Sequence, residues 1–170
     1  EAVGLLALTL LTEARRPART APDGSMTRLA DQDRTQWDRM LITEGHTLVR
    51  ACLRRNQPGP FQIQAAIAAV HADAATAAAT DWSQIVALYD QLFAMRPNAV
   101  TALNRAVAIG EMRGASAGLD ALDSLDVTLL EDYQPYHAAR AGLLARAGRR
   151  GATAAYDRAM QRMVFDPLGM

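Results

Sequence analysis

The chain has 170 residues, half of them apolar, with 18 arginines, no lysine and 18 acidic residues, so its formal net charge is zero. That is one domain, or one repeat stack, with a sizeable core, and the zero charge argues against non-specific nucleic-acid binding. Cys52 is the single cysteine, which excludes an internal disulfide and a zinc quartet and fits a reducing cytoplasm.

Residues 2–16 have high helix propensity and are apolar on nearly every side, so the first helix should be buried. No basic leader precedes it and the apolar run is too short to span a bilayer, which points to a core helix near a cut end of a longer protein. Pro17 stops it, and Pro22-Asp23-Gly24 is a turn signal. Met26 to Leu29 is expected to be extended. Asp33 or Thr35 should cap a second helix through about Arg55, with Trp37, Met40, Leu41, Leu48 and Cys52 near its inner face. Asn56 to Pro60 breaks the pattern. Pro60 then suits the first turn of a third helix, about 60–78, with Ile63, Ile67 and Val70 as its stripe.

Thr80 or Asp81 caps a fourth helix, about 81–95, in which Trp82, Ile85, Tyr89 and Leu92 follow the helical spacing. Pro97-Asn98 ends it. The fifth helix, about 99–112, carries Val100, Leu103 and Val107; the sixth, about 115–124, is short. Asp126 to Asp132 reads as a loop, and the last two helices run about 133–147 and 151–164. No strand pattern has support.

Gly114 and Gly148 end successive helical patterns and lie 34 residues apart, the tetratricopeptide period. After Gly148 come Ala152, Tyr156 and Ala159; after Gly114 the equivalent places hold Gly118, Leu122 and Leu125. One repeat earlier stand Ile85, Tyr89, Leu92 and the helix-ending Pro97. The expected fold is therefore all-α, a right-handed stack of about eight antiparallel helices in tetratricopeptide-like pairs. We read residues 1–80 as the N-terminal helical part and 81–170 as the helix pairs, in one continuous domain. Such pairs bury their apolar faces on neighbours and leave a groove that binds partners rather than performing chemistry.

Charge is uneven. Residues 57–135 hold three arginines against nine acids, a net −6 between flanks of +2 and +4. A central acidic groove would prefer a basic partner segment, while ordinary solvated helix faces give the same pattern.

The string Asp31-Gln32-Asp33-Arg34, followed by Trp37-Asp38-Arg39, resembles one found in a group of extracytoplasmic-function RNA polymerase sigma factors that carry a tetratricopeptide-like C-terminal extension. Gly4 to Leu8 and Glu13 to Arg16 are similar to that extension's opening helix. Gly59 to Ala72 is similar to its third helix. Asp81 to Ile85, Leu88 to Asp90 and Ala102 to Ala108 are similar to its next pair. The resemblance covers about 1–160; Gln161 to Met170 does not share it. It implies that the parent protein is a sigma factor and that this region controls it in cis, through contacts with the sigma core or polymerase and with no separate membrane anti-sigma factor. Promoter DNA would be read only by regions upstream of Glu1.

Asp31, Gln32, Asp33 and Arg34 combine short acceptors, an amide and a planar fork of donors. The string can lock a loop by capping and pairing, or present a polar patch to another domain. Asn104 and Arg105 lie on the first helix of a repeat, where a groove-facing Asn can hold an extended peptide. Gln62, Gln64 and His71 are candidates for a polar groove, and His71 reads equally as a hydrogen-bonded residue at the core edge. Trp37, Trp82 and Tyr89 read as core. His46, His71 and His137 share no metal-ligand spacing, and no phosphate loop or nucleophile elbow appears, so neither catalysis, a metal nor a cofactor is expected. The alternative from another class is a stand-alone tetratricopeptide adaptor for a peptide or protein. A sigma core upstream would separate the two.

Overall fold

The computed structural model describes residues 1–126, 128 and 130–148. The described residues form seven α-helices: α1 (Ala2–Glu13), α2 (Arg39–Arg54), α3 (Pro60–Asp73), α4 (Trp82–Met95), α5 (Ala99–Arg113), α6 (Ala115–Asp123) and α7 (Gln134–Arg146). The fold class is all-α. Among the described residues the only sheet-like feature is one antiparallel bridge, Thr20 to Met26. The helix expected at 151–164 lies outside the described residues. The chain divides into two compact units, Glu1–Arg96 and Pro97–Met170. That division falls one helix later than the one read from sequence, because α4 packs on α3.

In the first unit α3 is central and touches α1, α2 and α4. Its sequence, rich in Ala with Ile63, Ile67 and Val70 all buried, suits a helix enclosed on several sides. Gly59 precedes Pro60, which fills the first helical position, where a missing N–H costs nothing. Small residues let α1 come close. A Cβ on Gly4 would lie 2.7 Å from the Gln62 backbone nitrogen, and one on Gly45 of α2 would lie 2.6 Å from Leu11 Cγ. Ala7, Leu11, Ala14, Trp37, Ile42, Val49, Ala65 and Ala69 close this core.

Three details depart from the sequence reading. First, α1 is not buried all round: Gly4, Ala7 and Leu11 face inward while Leu5 and Leu6 are about half exposed. Second, Asp33 does not cap α2. Asp38 does, with Oδ1 accepting from the Met40 and Leu41 amides at 2.8 and 3.1 Å. The buried residues of α2 are Ile42, Gly45, Val49 and Cys52, with Leu41 and Leu48 partly buried against the same core as expected, while Met40 stands in solvent. Third, the segment from Met26 to Leu29 is extended only at its start. Thr27 donates its amide to the Arg19 carbonyl, and Leu29–Asp31 is a turn of 3-10 helix.

In the second unit α5, α6 and α7 share a core of Leu103, Ala106, Leu119, Leu122, Leu130, Tyr136 and Leu143. Asn98 caps α5, its Oδ1 accepting from the Thr101 amide at 2.8 Å. Val100, expected inward, is exposed, and the inner face begins at Thr101 and Leu103. Gly114 joins α5 to α6 as a single residue at φ 96°, a backbone region open mainly to glycine, and Gly148 follows α7 at φ 63°. The two glycines spaced 34 apart thus share a positive φ just after a helix. Beside the joint, Gly110 and Gly118 let the backbones of α5 and α6 touch.

Candidate functional site

The residues Asp31 to Arg34 form a short irregular link ahead of α2, and the four side chains divide into two roles. Arg34 turns inward and is 9% exposed. Its Nη1 donates to the carbonyls of His71 at 2.5 Å and Ala74 at 2.7 Å. These sit at the C-terminal end of α3, where helix carbonyls have no intrahelical partner and the dipole favours a cation. The guanidinium also lies over the Trp37 ring, 4.7 Å from its centroid. Burial pulls the Arg34 pKa down, though the group stays charged. Gln32 is half-buried and donates its amide to the Thr27 carbonyl at 3.1 Å.

The two aspartates are exposed. Asp31 Oδ2 accepts from Arg28 Nε at 2.7 Å. Asp33 caps the 3-10 turn Arg34–Gln36. Its Oδ1 accepts from the Thr35 amide and hydroxyl at 2.9 and 2.6 Å, and its Oδ2 accepts from Gln36 at 3.1 Å. These bonds, the Thr35 hydroxyl first, hold the Asp33 carboxyl below its ordinary range. The inward pair fixes the link to α3 and the loop before it, and the outward pair presents carboxylate to solvent.

The other candidates separate. His71 is half-buried on α3, edge-on to Trp82 with centroids 5.3 Å apart. Desolvation, then the charges of Arg15 and Arg34, hold its pKa down to about 4, so the ring is neutral at neutral pH. Its carbonyl, rather than its ring, meets Arg34. Gln62 packs under Gly4 and lines a cavity of about 170 Å³ with Val49, Cys52, Ile63 and Leu88. Gln64 is half-buried and is not among the residues lining that cavity. That cavity takes in Gln62 but neither Gln64 nor His71. On α5, Asn104 is exposed and Arg105 half-buried, with Arg105 engaged in an interaction of its own. Trp37 is core at 3% exposure, whereas Trp82 and Tyr89 are half-buried, and burial raises the Tyr89 pKa.

Arg15 was not singled out from sequence. The Glu13–Arg16 pair at 2.9 Å, spaced i,i+3, was the available signal. Arg16 stands in solvent, and Arg15 is half-buried with its Nε covered. Among the described residues no cluster of three His, Cys, Asp or Glu side chains could hold a metal ion. No described helix is long and apolar enough to cross a membrane.

Residues 1–53 match a family described as a family of unknown function, DUF6596. An uncharacterized protein of Rhizobium meliloti (strain 1021) is 44% identical over 161 residues, covering 94% of this chain and 38% of that protein. The chain therefore spans well under half of this relative's length. No solved structure matches.

Proposed function

We propose that this chain is a regulatory C-terminal region of an RNA polymerase sigma factor, working in the cytoplasm through contacts with the sigma core or polymerase. The observation that carries the proposal is the division of the Asp31 to Arg34 string. Arg34 and Gln32 anchor the link, and Asp31 and Asp33 stand exposed on it. Asp33 is taken up by capping the 3-10 turn, but a lock has no use for the exposed Asp31 carboxylate, paired only with Arg28 on the surface; a pre-ordered acidic contact does, since a fixed loop loses little entropy on binding. The sequence resemblance supports the same reading. So does the match over residues 1–53, to a family found in sigma-factor-associated C-terminal regions.

The test is Asp31→Ala in the full-length protein, assayed by in vitro transcription beside thermal melting. Asp31 is exposed and paired only with Arg28 on the surface, so the loss of stability should stay within about 1 kcal/mol. Reduced transcription with an unchanged melting curve is expected. Full transcription would remove the acidic contact from the account. A parent protein lacking a sigma core would favour a stand-alone adaptor.

A further inference from the structure

The stretch around the α2–α3 turn is one-sided in charge. From Gly45 to Ala72 there are three arginines, Arg50, Arg54 and Arg55, and no acidic residue. All three arginines are exposed, and among the described residues no carboxylate pairs with them. The negative end of the α2 dipole accounts for cations at Arg54 and Arg55. It does not account for Arg50, a full turn earlier, nor for Leu53, which stands 64% exposed among them.

The same turn borders the cavity of about 170 Å³. Val49, Cys52, Ile63 and Leu88 give it apolar walls, and the amides of Asn56, Gln57, Gln62 and Gln91 ring it. Leu53 lines it as well, and each arginine is the chain neighbour of a lining residue: Arg50 follows Val49, Arg54 follows Leu53, and Arg55 precedes Asn56. The size decides what can enter. Pockets for cofactors and drug-sized ligands run to about 300–1,000 Å³, whereas an apolar cavity of about 150 Å³ takes one benzene-sized ring. The cavity therefore fits one large apolar side chain and is too small for a cofactor. The turn holds its shape without a partner. Pro58 and Pro60 fix two φ angles, and Asn56 closes α2 at φ 48°, its amide donating to the Leu53 carbonyl at 3.0 Å. A pre-formed cavity of this kind loses little entropy on binding.

We propose that the α2–α3 turn docks an acidic segment of a partner protein, with one aromatic or large aliphatic side chain of that segment entering the cavity. Arg50, Arg54 and Arg55 meet its carboxylates, and the four amides offer donors and acceptors to its backbone. The lack of any acid between Gly45 and Ala72 selects an acidic partner over a basic one by charge complementarity. This surface lies at the opposite end of α2 and α3 from the Asp31 to Arg34 string, which precedes α2 and is bonded to the C-terminal end of α3. The two contacts are therefore separate, and one can fail without the other.

The experiment is fluorescence anisotropy of a short fluorescein-labelled peptide, made of Asp and Glu around a central Phe, titrated with the 170-residue chain. Saturable binding with a Kd of about 100 μM or tighter is expected. Replacing the peptide's Phe by Ala should weaken binding at least about tenfold, the order set by burying one ring. Arg50→Gln combined with Arg54→Gln should weaken it about threefold or more and flatten its salt dependence, with the melting curve unchanged. Arg39→Gln, which removes an exposed arginine at the other end of α2, should bind as the native chain does. Ala66→Leu fills the cavity from α3 and should bring the Phe peptide down to the level of its Ala version. If that variant fails to fold, Gln91→Glu replaces it and should repel the peptide from the exposed rim. Equal binding of the Phe and Ala peptides would overturn the proposal, as would a loss in Arg39→Gln as large as in the arginine pair. So would displacement of the peptide by an oligothymidylate of matched charge, which would make the arginines a nucleic-acid contact. A dimer of the chain that dissociates in Leu53→Glu would also overturn it, with a second copy as the occupant.

Discussion

Removing the Arg34 side chain tests the first unit most directly. Arg34→Ala deletes two hydrogen bonds from a charged donor, to the His71 and Ala74 carbonyls, and the stack on Trp37. Hydrogen bonds to charged groups contribute about 1.5–3 kcal/mol each, and a cation over an aromatic ring about 0.5–2 kcal/mol. Two effects offset part of that sum. The variant no longer desolvates a cation, and it removes repulsion with Arg15. A net loss of about 2–4 kcal/mol is the expected balance, which for a chain of this size lowers the melting temperature by about 5–15 °C. Arg34→Lys keeps the charge and an ammonium that can still reach a carbonyl, but loses the planar stack on Trp37, and should lose about half as much. Urea unfolding followed by tryptophan emission is the assay, because Trp37 and Trp82 both lie in the Glu1–Arg96 unit. A loss below about 0.5 kcal/mol for Arg34→Ala would refute the lock, since that is the range of an ordinary surface change.

Two further outcomes follow from geometry and titration. Gly118→Ala would put a Cβ 2.8 Å from the Gly110 Cα and 3.2 Å from the Ala106 carbonyl, whereas Gly110→Ala would first meet the mobile end of Leu143 at 2.6 Å. Gly118→Ala should therefore cost about 1–3 kcal/mol and Gly110→Ala clearly less, by chemical denaturation; the reverse order would mean that α5 and α6 do not touch there. His71 has a folded pKa of about 4 against an ordinary 6.5, so the unfolded chain binds the proton more readily. Its contribution is full above pH 6.5 and is lost as pH falls toward 4, amounting to roughly 2 kcal/mol after solvent screening. His71→Gln should flatten the stability profile between those values, and an unchanged slope there would show that His71 protonates freely in the fold.

The helices were legible where local rules act alone. Pro60 after Gly59, Asn98 before α5, and Gly114 and Gly148 each state a boundary through backbone chemistry that no distant residue alters. Burial was less legible, because it depends on which neighbours arrive. Leu5 and Leu6 are as apolar as Leu11, yet only Leu11 meets α2, under Gly45. Of the expected inner residues Trp37, Leu41, Leu48 and Cys52 do reach the core and only Met40 does not, because Trp37 precedes the helix instead of lying on it and so does not anchor the stripe that would include Met40. The polar string was found by its residue types, but its division was not. Nothing local says that Arg34 will reach α3, about 40 residues away in sequence, while Asp31 stays with Arg28.

That division changes what a substitution in the string can mean. Asp31 and Arg34 belong to one polar string in sequence, and a double change to Ala would look like one experiment on one motif. In the fold they belong to different physical classes: a screened surface carboxylate worth under about 1 kcal/mol, and a buried guanidinium that closes the end of a helix. Lost activity in the double variant would report mainly the loosened link between α3 and the segment before α2. Only the single variants carry information about a contact. Asp31→Ala changes the outward face and leaves the anchor intact. Arg34→Ala releases the anchor and lets the outward face move with it. If Arg34→Ala lowers both stability and activity while Asp31→Ala lowers activity alone, the acidic face is the contact and Arg34 positions it. If only Arg34→Ala has an effect, the string is a lock throughout, and the contact surface lies on another face.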